Sequence, residues 1–82
     1  TKYFAVELAD KEIRVNSVSP GGIYNSKEPQ GGDFIKNYSS RTPLQRMAEV
    51  HEIMGAYIYL ASDTSTYTTG QNIVVDGGMS AW

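Results

Sequence analysis

The sequence predicts an α/β chain with parallel strands, and three observations carry that prediction. Ile13 to Val18 and Asn72 to Asp76 are short runs holding β-branched residues, followed by the breaks Pro20-Gly21-Gly22 and Gly77-Gly78. Between them, Val50, Ile53, Met54, Tyr57, Ile58 and Ala61 recur at three- and four-residue steps, the period of an amphipathic helix over about 49–62. A strand, a long connection with a helix and a second strand make a parallel crossover unit, expected to be right-handed. Ligands of open parallel sheets lie beyond the carboxyl ends of the strands, so the Pro-Gly-Gly break is the first place to look for function.

The elements follow in order. Residues 1–11 read as the end of a helix: Phe4 to Leu8 is an i, i+4 step, and Ala5 and Ala9 extend the same apolar side. The first strand, at about 13–18, is expected to stop before Pro20, because a Pro-Gly pair continues neither a ladder nor a helix. Residues 20–32 contain Pro20, Gly21, Gly22, Pro29, Gly31 and Gly32 and read as a loop. Asp33 is a candidate N-cap for a short helix bearing Phe34, Ile35 and Tyr38. Loop and small helix together suit a lid or an ordinary surface connection. Pro43 to Met47 reads as a turn. In the helix at 49–62, Ala56 and Leu60 widen the apolar side until it needs cover from two directions, one of them the chain's own sheet. Gly70 permits a tight turn ahead of the second strand at 72–76.

Composition excludes several classes. Eighty-two residues, 40% hydrophobic and 20% charged, allow one small globular domain at most. Seven basic against nine acidic residues leave a net charge of −2 and no basic stripe, so nucleic acid is not an expected partner. Cysteine is absent, which removes disulfides and thiolate metal sites. No apolar run approaches the ~20 residues of a membrane span, and Thr1-Lys2-Tyr3-Phe4 has no signal-peptide pattern. Neither a membrane nor a metal is expected, and the expected compartment is the cytoplasm. Two strands are too few for a self-sufficient parallel sheet, and a helical pattern starts at the first residue. The chain is therefore expected to be part of a longer one.

Four motifs then point to a family. Ile13-Arg14-Val15-Asn16-Ser17-Val18-Ser19-Pro20-Gly21-Gly22-Ile23 resembles the strand and Pro-Gly loop of the short-chain dehydrogenases/reductases. Thr42-Pro43-Leu44-Gln45-Arg46-Met47-Ala48 is similar to that family's link into its late helix. Leu60-Ala61-Ser62-Asp63 with Tyr67-Thr68-Thr69-Gly70-Gln71, and the closing Val74-Val75-Asp76-Gly77-Gly78, are similar to two further family stretches. Thr1 to Ala9 resembles the back half of the family's catalytic helix. The motifs stand in the family's order and span nearly the whole chain.

The resemblance implies a Rossmann-type, doubly wound parallel sheet, with 1–82 as the C-terminal segment of a single domain that is incomplete on its own. It implies an enzyme that binds NAD or NADP and moves a hydride between nicotinamide and a carbonyl or alcohol, with a sugar-like substrate as one candidate. In the family the corresponding loop contacts the nicotinamide end of the cofactor. Pro20, Gly21 and Gly22 are thus expected to shape the loop and Ile23 to offer backbone contacts to the carboxamide. Asn25 stands where the family often has Thr and is the fifth candidate cofactor residue. Residues 25–40 correspond to the substrate flap. The late helix and last strand correspond to a subunit surface, so a homo-oligomer, dimer or tetramer, is expected. The flap and loop also resemble, faintly, reductases of bacterial surface-sugar and flagellin-modification pathways.

The chain departs from the family pattern in two places. Gly21, 22, 31, 32, 55, 70, 77 and 78 include no pair separated by one residue, so the glycine-rich pyrophosphate turn is absent. Four residues after Tyr3, Tyr24, Tyr38, Tyr57, Tyr59 and Tyr67 stand Glu7, Glu28, Thr42, Ala61, Asp63 and Gln71, so no Tyr-x-x-x-Lys exists to exchange a proton with substrate. No catalytic residue is assigned, and the segment alone is expected to be inactive. The alternative is a non-catalytic oligomerisation or interaction module that keeps the family's subunit surfaces.

Other constellations carry less. His51 lacks a second histidine and reads as an exposed first-turn residue. A triad of Ser62 or Ser65 with His51 and Asp63 has no Gly-x-Ser-x-Gly elbow behind it. Asp33, Asp63 and Asp76 are scattered and read as caps or solvated loop residues. Tyr57 and Tyr59 read as core or subunit contacts rather than a stacking surface; Trp82 reads as buried, the family resemblance implying a place near a subunit interface or a substrate pocket as the alternative.

Overall fold

Two four-residue strands, β1 (Ser17–Pro20) and β2 (Asn72–Val75), pair in parallel in the register Ser17 to Asn72 through Pro20 to Val75. The computed structural model describes residues 1–25 and 31–82. Three helices accompany the strands: α1 (Lys2–Glu7), α2 (Gly32–Ser39) and α3 (Val50–Ala61), the last forming the crossover between β1 and β2. The α/β class and the parallel pairing are as expected.

Pro20 corrects the expected end of the first strand, being its last residue. Ser17 N–H donates to Gln71 O at 2.9 Å and Gly21 N–H to Val75 O at 2.9 Å. In a parallel ladder alternate residues donate to the same neighbour, so the nitrogen of Pro20 faces away from β2, where the ladder needs no N–H. The strand also begins later than Ile13. Residues 13–16 run beside the segment before β2 without ladder regularity: Val15 N–H donates to Thr69 Oγ1 at 3.1 Å and Gly70 N–H to Val15 O at 2.8 Å.

The first helix is shorter than its pattern. It ends at Glu7, passes into a 3₁₀ turn over Ala9–Lys11, and leaves through Glu12 at φ 60°. Asp33 is not the cap of α2. Gly31 is, in extended backbone, and Asp33 lies in the first turn, where its carboxylate faces the positive end of the helix dipole.

α3 opens with a reciprocal capping box between Glu49 and Glu52, in which Glu49 N–H donates to Glu52 Oε1 at 3.0 Å. It packs on both strands and buries Ile53 to 4% exposure. Its other side stays open, with Val50, Met54, Tyr57 and Ile58 exposed, Ile58 to 63%. The chain's own sheet thus covers only one of the two sides. Among the described residues the buried apolar side chains are Ala5, Met47 and Ile53, a core too small to resemble that of an ordinary domain.

Candidate functional site

The carboxyl ends of β1 and β2 lead into two glycine loops that touch. A Cβ on Gly21 would stand 2.9 Å from Asp76 Cα, so only glycine lets the first loop pass the end of β2. A Cβ on Gly22 would stand 2.5 Å from the ring of Tyr38, which reaches over the loop from α2. One step on, Ile23 forms an isolated parallel bridge with Ala48. Ala48 N–H donates to Gly22 O at 2.9 Å and Tyr24 N–H donates to Ala48 O at 2.8 Å. In that pattern the flanking peptides hold the bridge and Ile23's own N–H and C=O face away from Ala48. The structure therefore brings Pro20, Gly21, Gly22 and Ile23 together in one fixed loop, with Asn25 at its far end. Of the expected flap at 25–40, residues 26–30 lie outside the described residues and most of the remainder is α2.

Thr42 to Met47 is more than the turn expected there. Thr42 is 1% exposed; its hydroxyl donates to Ser39 O at 3.1 Å and accepts from Arg46 N–H at 3.3 Å. Leu44 N–H donates to Gly77 O at 3.1 Å, which seats the segment on the end of β2. Gly77 and Gly78 sit at φ 65° and 92°, and a Cβ on Gly78 would lie 2.8 Å from Pro43 Cγ. Loop, α2 and this segment enclose a small cavity of about 80 Å³ lined by Gly22, Tyr38, Thr42, Leu44, Arg46 and Asp76, among others.

The charged groups nearby are spoken for. Arg46 forks onto Glu52 through Nη1–Oε1 at 2.6 Å and Nη2–Oε2 at 2.8 Å. That hydrogen-bonded guanidinium, then the Glu49 N–H, holds the Glu52 carboxyl down to about 2. Asp76 accepts from Gly78 N–H and Ser80 N–H, both at 3.0 Å. Its pKa lies below the usual carboxylate range, chiefly through the Ser80 side chain. Asp76 is a turn anchor held as carboxylate, in line with its reading as a cap.

At the opposite end of the strands two residues matter that sequence reasoning passed over. Arg14 donates to Ser65 Oγ at 3.0 Å, Thr68 O at 3.2 Å and Leu60 O at 3.0 Å. Asn16 donates to Thr68 O and accepts from Gln71 N–H, both at 3.0 Å. The signal was present, since both polar side chains interrupt an otherwise strand-like run.

Ser62 and Ser65 do not form a triad: their hydroxyls donate to Tyr59 O, and to Leu60 O and Ser62 O, at the end of α3. Among the described residues no three His, Asp or Glu side chains are grouped to hold a metal, and no helix is long and apolar enough to cross a membrane. Trp82 corrects its expected burial. It is 76% exposed, tethered by Nε1–H to Arg41 O at 3.2 Å, because none of the described residues folds over it. Tyr57 and Tyr59 are likewise exposed, and Tyr59 Oη meets Thr68 Oγ1 at 3.0 Å.

Comparison with known proteins bears on the same segment. Residues 1–80 match the family model described as enoyl-(acyl carrier protein) reductase. A D-arabinitol 2-dehydrogenase [ribulose-forming] of Scheffersomyces stipitis is 45% identical over 83 residues, covering 95% of this chain and 30% of that protein. A sorbose reductase of Candida albicans is 47% identical over 78 residues, covering 94% and 28%. The crystal structure of a short-chain dehydrogenase from Leptospira borgpetersenii with bound NAD+ superposes with a TM-score of 0.87 at 47% identity, covering 96% and 30%. The chain thus spans under a third of the length of each of these three relatives. Matched over residues 1–80, and carrying the strand, loop and closing motifs in order, the chain belongs to the short-chain dehydrogenase/reductase family.

Proposed function

We propose that the whole protein is an NAD- or NADP-dependent oxidoreductase, and that Pro20, Gly21, Gly22, Ile23 and Asn25 form the wall around its nicotinamide. The observation that carries this is the Ile23–Ala48 bridge. It fixes the loop at the carboxyl end of β1, the end of a parallel sheet where ligands bind. A carboxamide offers one acceptor and two donors, which a backbone N–H and C=O complement, and the Asn25 amide can serve the same polar edge. These residues fit the nicotinamide end of a dinucleotide and nothing more of it. The cofactor supplies a hydride donor or acceptor; the loop's part is to hold the ring in one orientation, which is where a positioning site contributes most.

The pyrophosphate and the proton need other groups. The sequence has no glycine-rich turn and no Tyr-x-x-x-Lys, so the 82-residue segment alone is inactive in this reading. Two of the relatives are named for arabinitol and sorbose, which supports a polyol–ketose pair as the substrate class for the whole protein. That choice is favoured over the fainter likeness to surface-sugar reductases, and the reaction is assigned to the cytoplasm. The test is nicotinamide absorbance during incubation with polyols and ketoses. The whole natural protein turns over and the isolated segment does not. Turnover by the isolated segment, or none by the whole protein with either cofactor across both substrate classes, contradicts the proposal.

One observation supports a further part of the reading, that the protein is a homo-oligomer. The open side of α3 exposes Val50, Met54, Tyr57 and Ile58 together. An apolar surface of this kind calls for cover, and a second copy of the chain provides it. The alternative, a module that only associates, shares this surface and is told apart by the activity assay.

A further inference from the structure

The ring of Tyr38 occupies the space that a side chain at position 22 would take. Its Cε1 and Cζ lie 2.5 Å from where a Gly22 Cβ would stand, and its hydroxyl lies 3.3 Å from the corresponding point on Gly21. Gly22 does not adopt a positive φ, so glycine is required there by the ring above it and not by the backbone. Tyr38 is half-buried on α2, one helical turn after Phe34, whose ring centroid is 6.1 Å away. The Gly22 carbonyl accepts from Ala48 N–H, and Tyr24 N–H closes the bridge. Two separate contacts, an aromatic ring and a two-bond bridge, thus clamp the loop.

We infer that Tyr38 is a positioning residue for the Gly21–Tyr24 loop: its ring, admitted by Gly22, holds the loop in the conformation in which Ile23 bridges Ala48. Carried onto the nicotinamide, the inference rests on the cofactor role proposed above. When only a fraction of molecules hold the competent loop, apparent affinity falls by that fraction.

The test uses the whole natural protein and reads hydrogen exchange at the Tyr24 and Ala48 amides, together with the Kd for NAD(H). Tyr38→Ala is expected to speed exchange at both amides by about tenfold, leaving the α3 amides unchanged, since local openings have their own free energies. Tyr38→Phe keeps the ring and keeps the protection. Gly22→Ala displaces the ring and reproduces the Tyr38→Ala pattern without truncating any side chain, which serves if Tyr38→Ala folds poorly. The double variant exchanges no faster than Tyr38→Ala alone, because the added methyl then has room. Unchanged exchange at Tyr24 and Ala48 in Tyr38→Ala, or effects of the two substitutions that simply add, overturns the inference. If exchange behaves as described while NAD(H) does not bind the unsubstituted protein, the clamp stands and the cofactor role of the loop falls.

Discussion

The Arg14 guanidinium donates to the carbonyl oxygen of Leu60 at 3.0 Å, tying the approach to β1 to the last turn of α3. The same group reaches Ser65 Oγ and Thr68 O. One side chain thereby satisfies a carbonyl orphaned at the helix end and fixes the segment that leads into β2. Because β1 and β2 are only four residues each, the register of the pair depends on such ties.

Replacing Arg14 with Ala is expected to destabilise the fold by about 2–3 kcal/mol, the range for hydrogen bonds to a charged donor with partners left behind. Arg14→Lys recovers less than half of the loss, since one ammonium cannot span three acceptors as the fork does. Urea unfolding of the three proteins measures both differences.

The Arg46–Glu52 pair predicts a pH dependence. The Glu52 carboxyl is held down to about 2 in the fold, against about 4.3 in an unfolded chain. A carboxyl with a lowered folded pKa contributes stability above its unfolded pKa and loses it as pH falls toward the folded value. The urea midpoints of the natural protein and of Glu52→Gln should therefore differ at neutral pH and converge between about pH 4 and 2. A difference that persists below that window contradicts the ion pair as its source.

Glycines at three positions should respond in opposite directions. Gly78→Ala forces a side chain to φ 92° and 2.8 Å from Pro43 Cγ, with an expected loss of about 1–3 kcal/mol. Gly21→Ala, facing Asp76 Cα at 2.9 Å, loses a similar amount through overpacking, about 1–3 kcal/mol. Gly55 lies within α3, where a Cβ would meet nothing within 4 Å, so Gly55→Ala should stabilise an uncovered helix by about 0.5–1 kcal/mol. Thermal unfolding at fixed concentration distinguishes these signs.

The assembly surface is testable at Ile58, which is 63% exposed on the open side of α3. Ile58→Arg is expected to shift sedimentation velocity to a smaller species while far-ultraviolet circular dichroism stays unchanged. An unaltered sedimentation coefficient places the subunit contact elsewhere.

The class of fold was legible because its signals are local and strong: the three- and four-residue steps of α3 and the β-branched run of β2. What escaped was decided by tertiary partners. Pro20 joins β1 only because its nitrogen faces away from β2, and the sequence does not show which edge a strand presents. The Ile23–Ala48 bridge joins residues far apart in the chain, and Tyr38 meets Gly22 only through the placement of α2. Pro20, Gly21 and Gly22 are marked as candidates by the Pro-Gly break and Ile23 and Asn25 by the family resemblance, whereas the partners of Arg14 and Asn16 lie about 50 residues on and leave no local signal.

Whether the Pro20–Asn25 loop holds the nicotinamide is decided by an isotope-edited nuclear Overhauser measurement on the whole natural protein with NAD+. Contacts from the Ile23 and Asn25 protons to the nicotinamide ring are the predicted result. A cofactor that binds with its nicotinamide protons remote from Ile23 and Asn25 would contradict that role of the loop.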